Sequence, residues 1–259
     1  MYFCFLIRNS YLRYFIEIAY NGTNYHGWQI QPDAISIQEV LEEAMSTIFQ
    51  DEMTVMGAGR TDTGVHARQL FAHFDSDAIA DLDDRVFRIN CLLPKDISVK
   101  RIIPVPQDAH ARFDAMERAY EYLITSVKNP FQVDFMYLIH KKLDVDRMNE
   151  AAKILLEYKD FQCFSKNKTG VKTYHCDIKE AVWSVCGDEL VFTIVADRFL
   201  RNMVRAIVGT LLEIGLKKIT LDDFHAIIKS KDRSNAKTSA PAHGLYLTKV
   251  TYPDHIKIN

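Results

Sequence analysis

Gly57 to Ala67 reads GAGRTDTGVHA and holds the most reactive-looking grouping in the chain. One carboxylate, Asp62, stands in a glycine-framed turn with Arg60 and His66 beside it. Gly59 and Gly64 have the spacing of a phosphate loop, but Val65-His66 replaces the Lys-Ser/Thr that such a loop requires. Gly57-x-Gly59 has no third glycine, because Asp62 occupies that place, so a dinucleotide loop is also rejected. Taken alone, the string reads first as a structural turn in which Asp62 caps backbone N–H groups.

Two other groupings compete with that plain reading. Arg118-Ala119-Tyr120-Glu121-Tyr122 puts two aromatic rings on one face of a strand. Such rings either pack in a core or stack on bases, as in readers of single-stranded RNA. Arg198, Arg201 and Arg205 fall at i, i+3 and i+7 of an apolar helical stretch. Arg205 lies within Met203 to Val208 and calls for a carboxylate or phosphate partner, in a core or a cleft. Cys163, His175 and Cys176 lack a fourth ligand at useful spacing, so no metal site is expected. No GxSxG elbow supports a serine nucleophile.

The elements that position these residues alternate in period. Leu12 to Ala19, Leu70 to Phe74, Ile97 to Ile103, Ala119 to Thr125 and Leu245 to Tyr252 read as strands. Ile178 to Val185 and Leu190 to Val195 read as a hairpin. Ser36 and Glu39 form a capping box ahead of a helix to Phe49. Further helices are expected at Asp144 to Tyr158, at Phe199 to Ile214 with Gly215 as its C′ residue, and from a Thr220 cap through Ile228. Asp75 to Asp84 reads as a solvated loop or helix start, and Lys229 to Pro241 as a mobile polar loop. The class is α+β: two α/β halves with antiparallel sheets and flanking helices around a central basic cleft. Residues 12–110 form the half with the Asp62 loop and residues 111–259 the other, after an extension at 1–11.

The 259 residues are 48% hydrophobic and 25% charged, a globular composition. Five cysteines without a CxxC pair argue against a disulfide framework or zinc ribbon and fit a reducing, cytoplasmic setting. No apolar run is long enough to span a membrane. Met1 to Ile7 lacks the basic start and cleavage site of a signal peptide, and reads as an extra strand or an upstream start. Residues 1–129 carry 12 Lys+Arg against 18 Asp+Glu, and residues 130–259 carry 20 against 16. A basic face on a nearly neutral protein is thus expected in the second half, around Lys166, Lys168, Lys172 and Lys179 and around Lys229, Lys231, Arg233 and Lys237.

Several strings follow one another in the order of a known family. They are Tyr20-Asn21-Gly22, Asn24 to Gln29, Gly59 to Ala67, His110-Ala111-Arg112-Phe113, Arg118 to Tyr122, Phe199, Met203-Val204-Arg205 with Gly209, and Gly244-Leu245. Over about Tyr14 to Tyr252 the chain resembles the tRNA pseudouridine synthase A family, with Thr63 where the family has Ala. The resemblance implies isomerisation of uridine to pseudouridine at positions 38, 39 and 40 of the tRNA anticodon stem-loop. It implies a homodimer, tRNA as partner, and no cofactor. By matching position, Asp62 is the implied nucleophile, Arg205 its paired cation, Arg60 the side chain that helps displace the target base, and Tyr120 the ring that packs against it.

Those roles suit the chemistry. Isomerisation is redox-neutral, a carboxylate can add covalently and leave again, and a stacked base must be flipped out to react. Whether the carboxylate attacks base or sugar is not legible in the sequence. A glycosidase that releases uracil, or a non-catalytic RNA chaperone, would use some of the same residues.

Overall fold

The computed structural model describes residues 11–166, 172–256 and 258. The expected N-terminal extension (apart from Tyr11), with Met1 to Ile7, and Lys168 lie outside the described residues. Nine strands make one sheet: β1 (Leu12–Tyr20), β2 (Met56–Gly57), β3 (His66–Ser76), β4 (Ile97–Pro104), β5 (Glu117–Thr125), β6 (Tyr137–Leu138), β7 (Ile178–Cys186), β8 (Glu189–Ala196) and β9 (Leu245–Thr251). Their order is β4-β1-β3-β9-β5-β8-β7, with β2 on β3 and β6 on β5.

The α+β class holds, and the basic cleft is described below. The antiparallel sheets expected of the two halves are joined edge to edge. The C-terminal strand β9 lies antiparallel to β5 and parallel to β3, so one sheet runs through both halves. Only His66↔Tyr246 and Ala67↔Leu247 pair across that seam. Side chains extend it: Gln69 Oε1 accepts from the Val250 N–H at 3.0 Å, and Tyr252 packs edge-on against Phe15 and Phe71. A long-range parallel register leaves no local mark in a sequence.

The helices are α1 (Ile37–Phe49), α2 (Leu82–Leu92), α3 (Val145–Ile154), α4 (Met203–Gly215) and α5 (Leu221–Ser230). Helix α1 starts at the expected capping box, with Glu39 N–H donating to Ser36 Oγ at 3.2 Å. Thr220 and Asp223 cap α5 in the same way. Phe49 of α1 packs against Phe74 of β3. In the second half Asn149 of α3 exchanges two hydrogen bonds with the Trp183 backbone of β7. Phe15, Phe71, Phe74, Phe161, Phe164, Phe192 and Phe224 are all fully buried, each contributing roughly 1.5–3 kcal/mol of apolar burial.

Three local expectations are corrected and a fourth is narrowed to one of its alternatives. Helix α4 begins at Met203, not Phe199, because Asn202 takes a left-handed φ of 64°. Arg198 and Arg201 therefore sit in the loop before the helix. Gly215 is the last helical residue, and a Cβ there would lie 2.4 Å from Met148 Sδ of α3; close packing explains it, and the left-handed turn falls at Lys217. Of the two readings of Asp75 to Asp84, the helix start holds: Asp81 caps α2, while Asp75 lies within β3. Residues 231–241 are bound down rather than free. The Ala240 N–H donates to Arg205 O, the Lys237 N–H to Thr210 Oγ1, and Arg233 to Ser239 Oγ.

Candidate active site

The loop between β2 and β3 carries Asp62 and is pressed onto the segment after β1. Tyr20 and Thr61 share a buried hydroxyl hydrogen bond of 2.8 Å. The Trp28 N–H donates to Thr61 O and the Gly64 N–H to Tyr25 O. Gly27 holds a φ of +90°, and a Cβ on it would lie 2.3 Å from Thr61 O. These contacts explain why the strings around Tyr20 to Gln29 and Gly59 to Ala67 occur together.

His66 fixes the end of the loop. Its Nδ1 accepts from the Gly22 N–H at 3.1 Å, and its Nε2 lies 3.0 Å from His243 O. The ring is thus the neutral Nε2–H form, and burial pushes its pKa down. It stacks on Tyr246 at 4.6 Å. His66 is therefore a joint between the two halves.

At the seam opens a cleft of about 1140 Å³ lined by seven Arg and Lys side chains and two carboxylates, Asp62 and Asp197. All four residues singled out from the sequence line it. Asp197 is engaged: its Oδ1 accepts from the Asp177 and Arg198 N–H groups, both at 2.7 Å. The Asp62 carboxylate accepts no hydrogen bond among the described residues. Its oxygens face Arg205 Nη1 at 3.8 Å and Arg201 Nε at 3.9 Å. The capping reading thus loses its basis. A carboxylate held between two guanidinium groups, yet not saturated by donors, is free to attack or to take a proton.

Arg205 also donates from Nε to Ala240 O at 2.8 Å. Its side chain is 21% exposed and that of Asp62 is 27% exposed, so the pair lines a cleft rather than a core. Tyr120 is 9% exposed, and Phe199 meets its ring edge-on at 5.1 Å. Burial pushes its phenol up to about 12, with the Asp62 charge adding to the rise. The phenol is neutral near pH 7 and makes no hydrogen bond among the described residues. Arg60 is exposed, and its pKa falls through partial burial and the nearby charges of Arg112 and Arg201.

Sequence reasoning missed Arg118 as a brace. Its guanidinium donates to four backbone carbonyls: Ala115 and Asp197 at 2.7 Å, Arg112 at 2.7 Å and Ala58 at 3.0 Å. It ties the Asp62 loop to both neighbouring segments, and desolvation lowers its pKa. Its position two residues before Tyr120 was the available signal. Cys163 and Cys176 are buried thiols pushed up to about 12 by that burial.

Comparison with known proteins fits this geometry. The family described as tRNA pseudouridine synthase matches residues 17–114 and 151–253. The chain belongs to this family of isomerases. Among curated relatives, the tRNA pseudouridine synthase A of Bacteroides fragilis is 54% identical over 250 residues, covering 95% of this chain and 99% of that one. The protein of the same name from Parabacteroides distasonis is 51% identical over 245 residues, covering 94% and 97%. That of Bacteroides thetaiotaomicron is 53% identical over 247 residues, covering 94% and 92%.

Proposed function

We propose that this chain isomerises uridine to pseudouridine at positions 38, 39 and 40 of the tRNA anticodon stem-loop, with Asp62 as nucleophile. The observation that carries this reading is the state of the two carboxylates in the basic cleft. Asp197 is consumed by backbone N–H groups, whereas Asp62 is open and flanked by Arg201 and Arg205.

The cleft's cations attract the RNA backbone. Arg60, exposed beside the nucleophile, enters the stack as the target base leaves it. The uracil packs against the Tyr120 ring, whose plane Phe199 holds. Asp62 adds to the base or the sugar while the N1–C1′ bond breaks. The base turns, C5 bonds to C1′, the C5 proton departs and N1 gains one, so formula and oxidation state are unchanged. Nothing is consumed, and no cofactor is called for. Arg205 and Arg201 balance the Asp62 charge as it forms and loses its bond.

The protein acts as a homodimer, as the resemblance implies, and in the cytoplasm, as its five cysteines without a CxxC pair suggest. Carbodiimide mapping of an unmodified tRNA after incubation with the protein tests the reaction. Stops at positions 38, 39 and 40 support it, and release of free uracil without such stops refutes it.

A further inference from the structure

Phe113 is among the most exposed apolar side chains of the described residues. Its ring is 75% exposed, although it lines the same cleft as Asp62. An open phenylalanine at the wall of a cationic cleft offers a flat apolar face to whatever enters that cleft.

The turn that carries Phe113 is tightly built. The Ala111 N–H donates to His73 Nδ1 at 3.1 Å, the His110 N–H to Asp114 Oδ2 at 2.7 Å, and the Asp114 N–H to His110 O at 3.1 Å. Tyr252 Oη donates to Ala111 O. Aromatic rings support it from behind. Phe113 lies 4.2 Å from His110, and His110 lies 4.5 Å from His73, which adjoins the buried Phe15. The Arg112 guanidinium stands 5.8 Å from the Phe113 ring centroid.

We propose that Phe113 is a stacking platform for a second nucleobase of the RNA, one other than the uridine that reaches Asp62, with Arg112 taking the adjoining phosphate. An exposed flat ring, rigidly backed and flanked by a cation, is what a base and its phosphate require. Arg118 sets the distance between the two base sites, because one guanidinium holds Ala58 O, before the Asp62 loop, and Arg112 O and Ala115 O, on either side of Phe113. The proposal rests on the tRNA reading above.

The test uses the Phe113→Trp, Phe113→Leu and Phe113→Ala variants of the full chain, each also carrying Asp62→Asn so that binding is read without turnover. The native indoles, Trp28 and Trp183, are 2% and 3% exposed and give a steady background. Titrating unmodified tRNA should quench the added indole saturably. Phe113→Ala and Phe113→Leu should weaken binding roughly tenfold or more, the loss expected for one base–aromatic stack. Phe113→Trp should bind as tightly as Phe113, and melting should be unchanged throughout, since the ring is open. Unquenched emission with unweakened Phe113→Ala binding would overturn the proposal. So would loss of self-association in Phe113→Ala with tRNA affinity intact, which would make the ring a contact between copies. Quenching together with a wild-type chain that forms no pseudouridine would support the base site and refute the isomerase reading.

Discussion

Arg205 points one nitrogen at Asp62 Oδ2, 3.8 Å away, while its Nε holds Ala240 O at 2.8 Å. One guanidinium thus links the reactive loop to the segment that crosses behind α4. The ion pair is loose and partly exposed, so it contributes little to stability, on the order of 1 kcal/mol or less. The bond to Ala240 contributes about as much or somewhat more.

Arg205→Ala should therefore cost on the order of a hundredfold in kcat but only about 1–2 kcal/mol in stability. Arg205→Lys keeps the charge but lacks the fork that spans both partners, and should fall between. Single-turnover rates and urea melts of the three proteins check this. Unchanged rates would remove Arg205 from the site.

Gly27→Ala should damage the site from outside it. The methyl group must push Thr61 O away, and the φ of +90° is strained for alanine. A stability loss of about 1–3 kcal/mol should accompany a larger loss of kcat than of tRNA affinity. A fully active variant would show that the Asp62 loop is not positioned by this contact.

Salt dependence should trace to the cleft. Lys231 is paired with Asp160 at 2.8 Å and Lys179 with Asp177, so these two are poorer phosphate ligands than composition suggests, whereas Lys172 lines the cleft. Arg198 lines the cleft and has no carboxylate partner among the described residues. Arg198→Ala should raise KM and reduce the log–log salt slope by roughly 0.7–0.9, the share of one phosphate. The rate at saturating tRNA should hold. A wild-type slope would place the RNA elsewhere.

Acid should loosen the turn that carries Phe113. Burial pushes His73 down to about 4, and its Nδ1 must stay unprotonated to accept from the Ala111 N–H. The unfolded chain takes up this proton below about pH 6.5, so the stabilisation is complete above that pH. It is lost progressively as pH falls towards 4 and changes little below. Melting temperature followed from pH 7.5 to 4 should fall less steeply in His73→Gln than in the wild type.

Parts of this architecture are written locally, and parts are not. The Ser36–Glu39 box and the hairpin turning at Gly187, with its φ of 62°, depend on neighbours in sequence and are legible there. So is the isolation of Asp62 among glycines. The start of α4 is not, because Asn202 reverses its backbone within an otherwise helical pattern. Helix α2 is harder to read because Phe87 and Leu92 stand exposed and blur the short stripe of Leu82, Val86 and Ile89 that faces the core. The polar run after α5 looks solvated until its hydrogen bonds to α4 are seen. Arg118 looks like one more surface charge until its four carbonyl partners converge on it, two of them, Ala58 and Asp197, from distant segments.

The central claim, that Asp62 does the covalent work, is tested most directly by Asp62→Asn. Pseudouridine formation on unmodified tRNA and tRNA affinity are measured on the same preparation, with mass spectrometry confirming that the asparagine has not deamidated. Affinity should stay within a few-fold of wild type, since a negative charge near RNA has been removed, and no pseudouridine should form. Robust pseudouridine formation by intact Asp62→Asn would contradict the account.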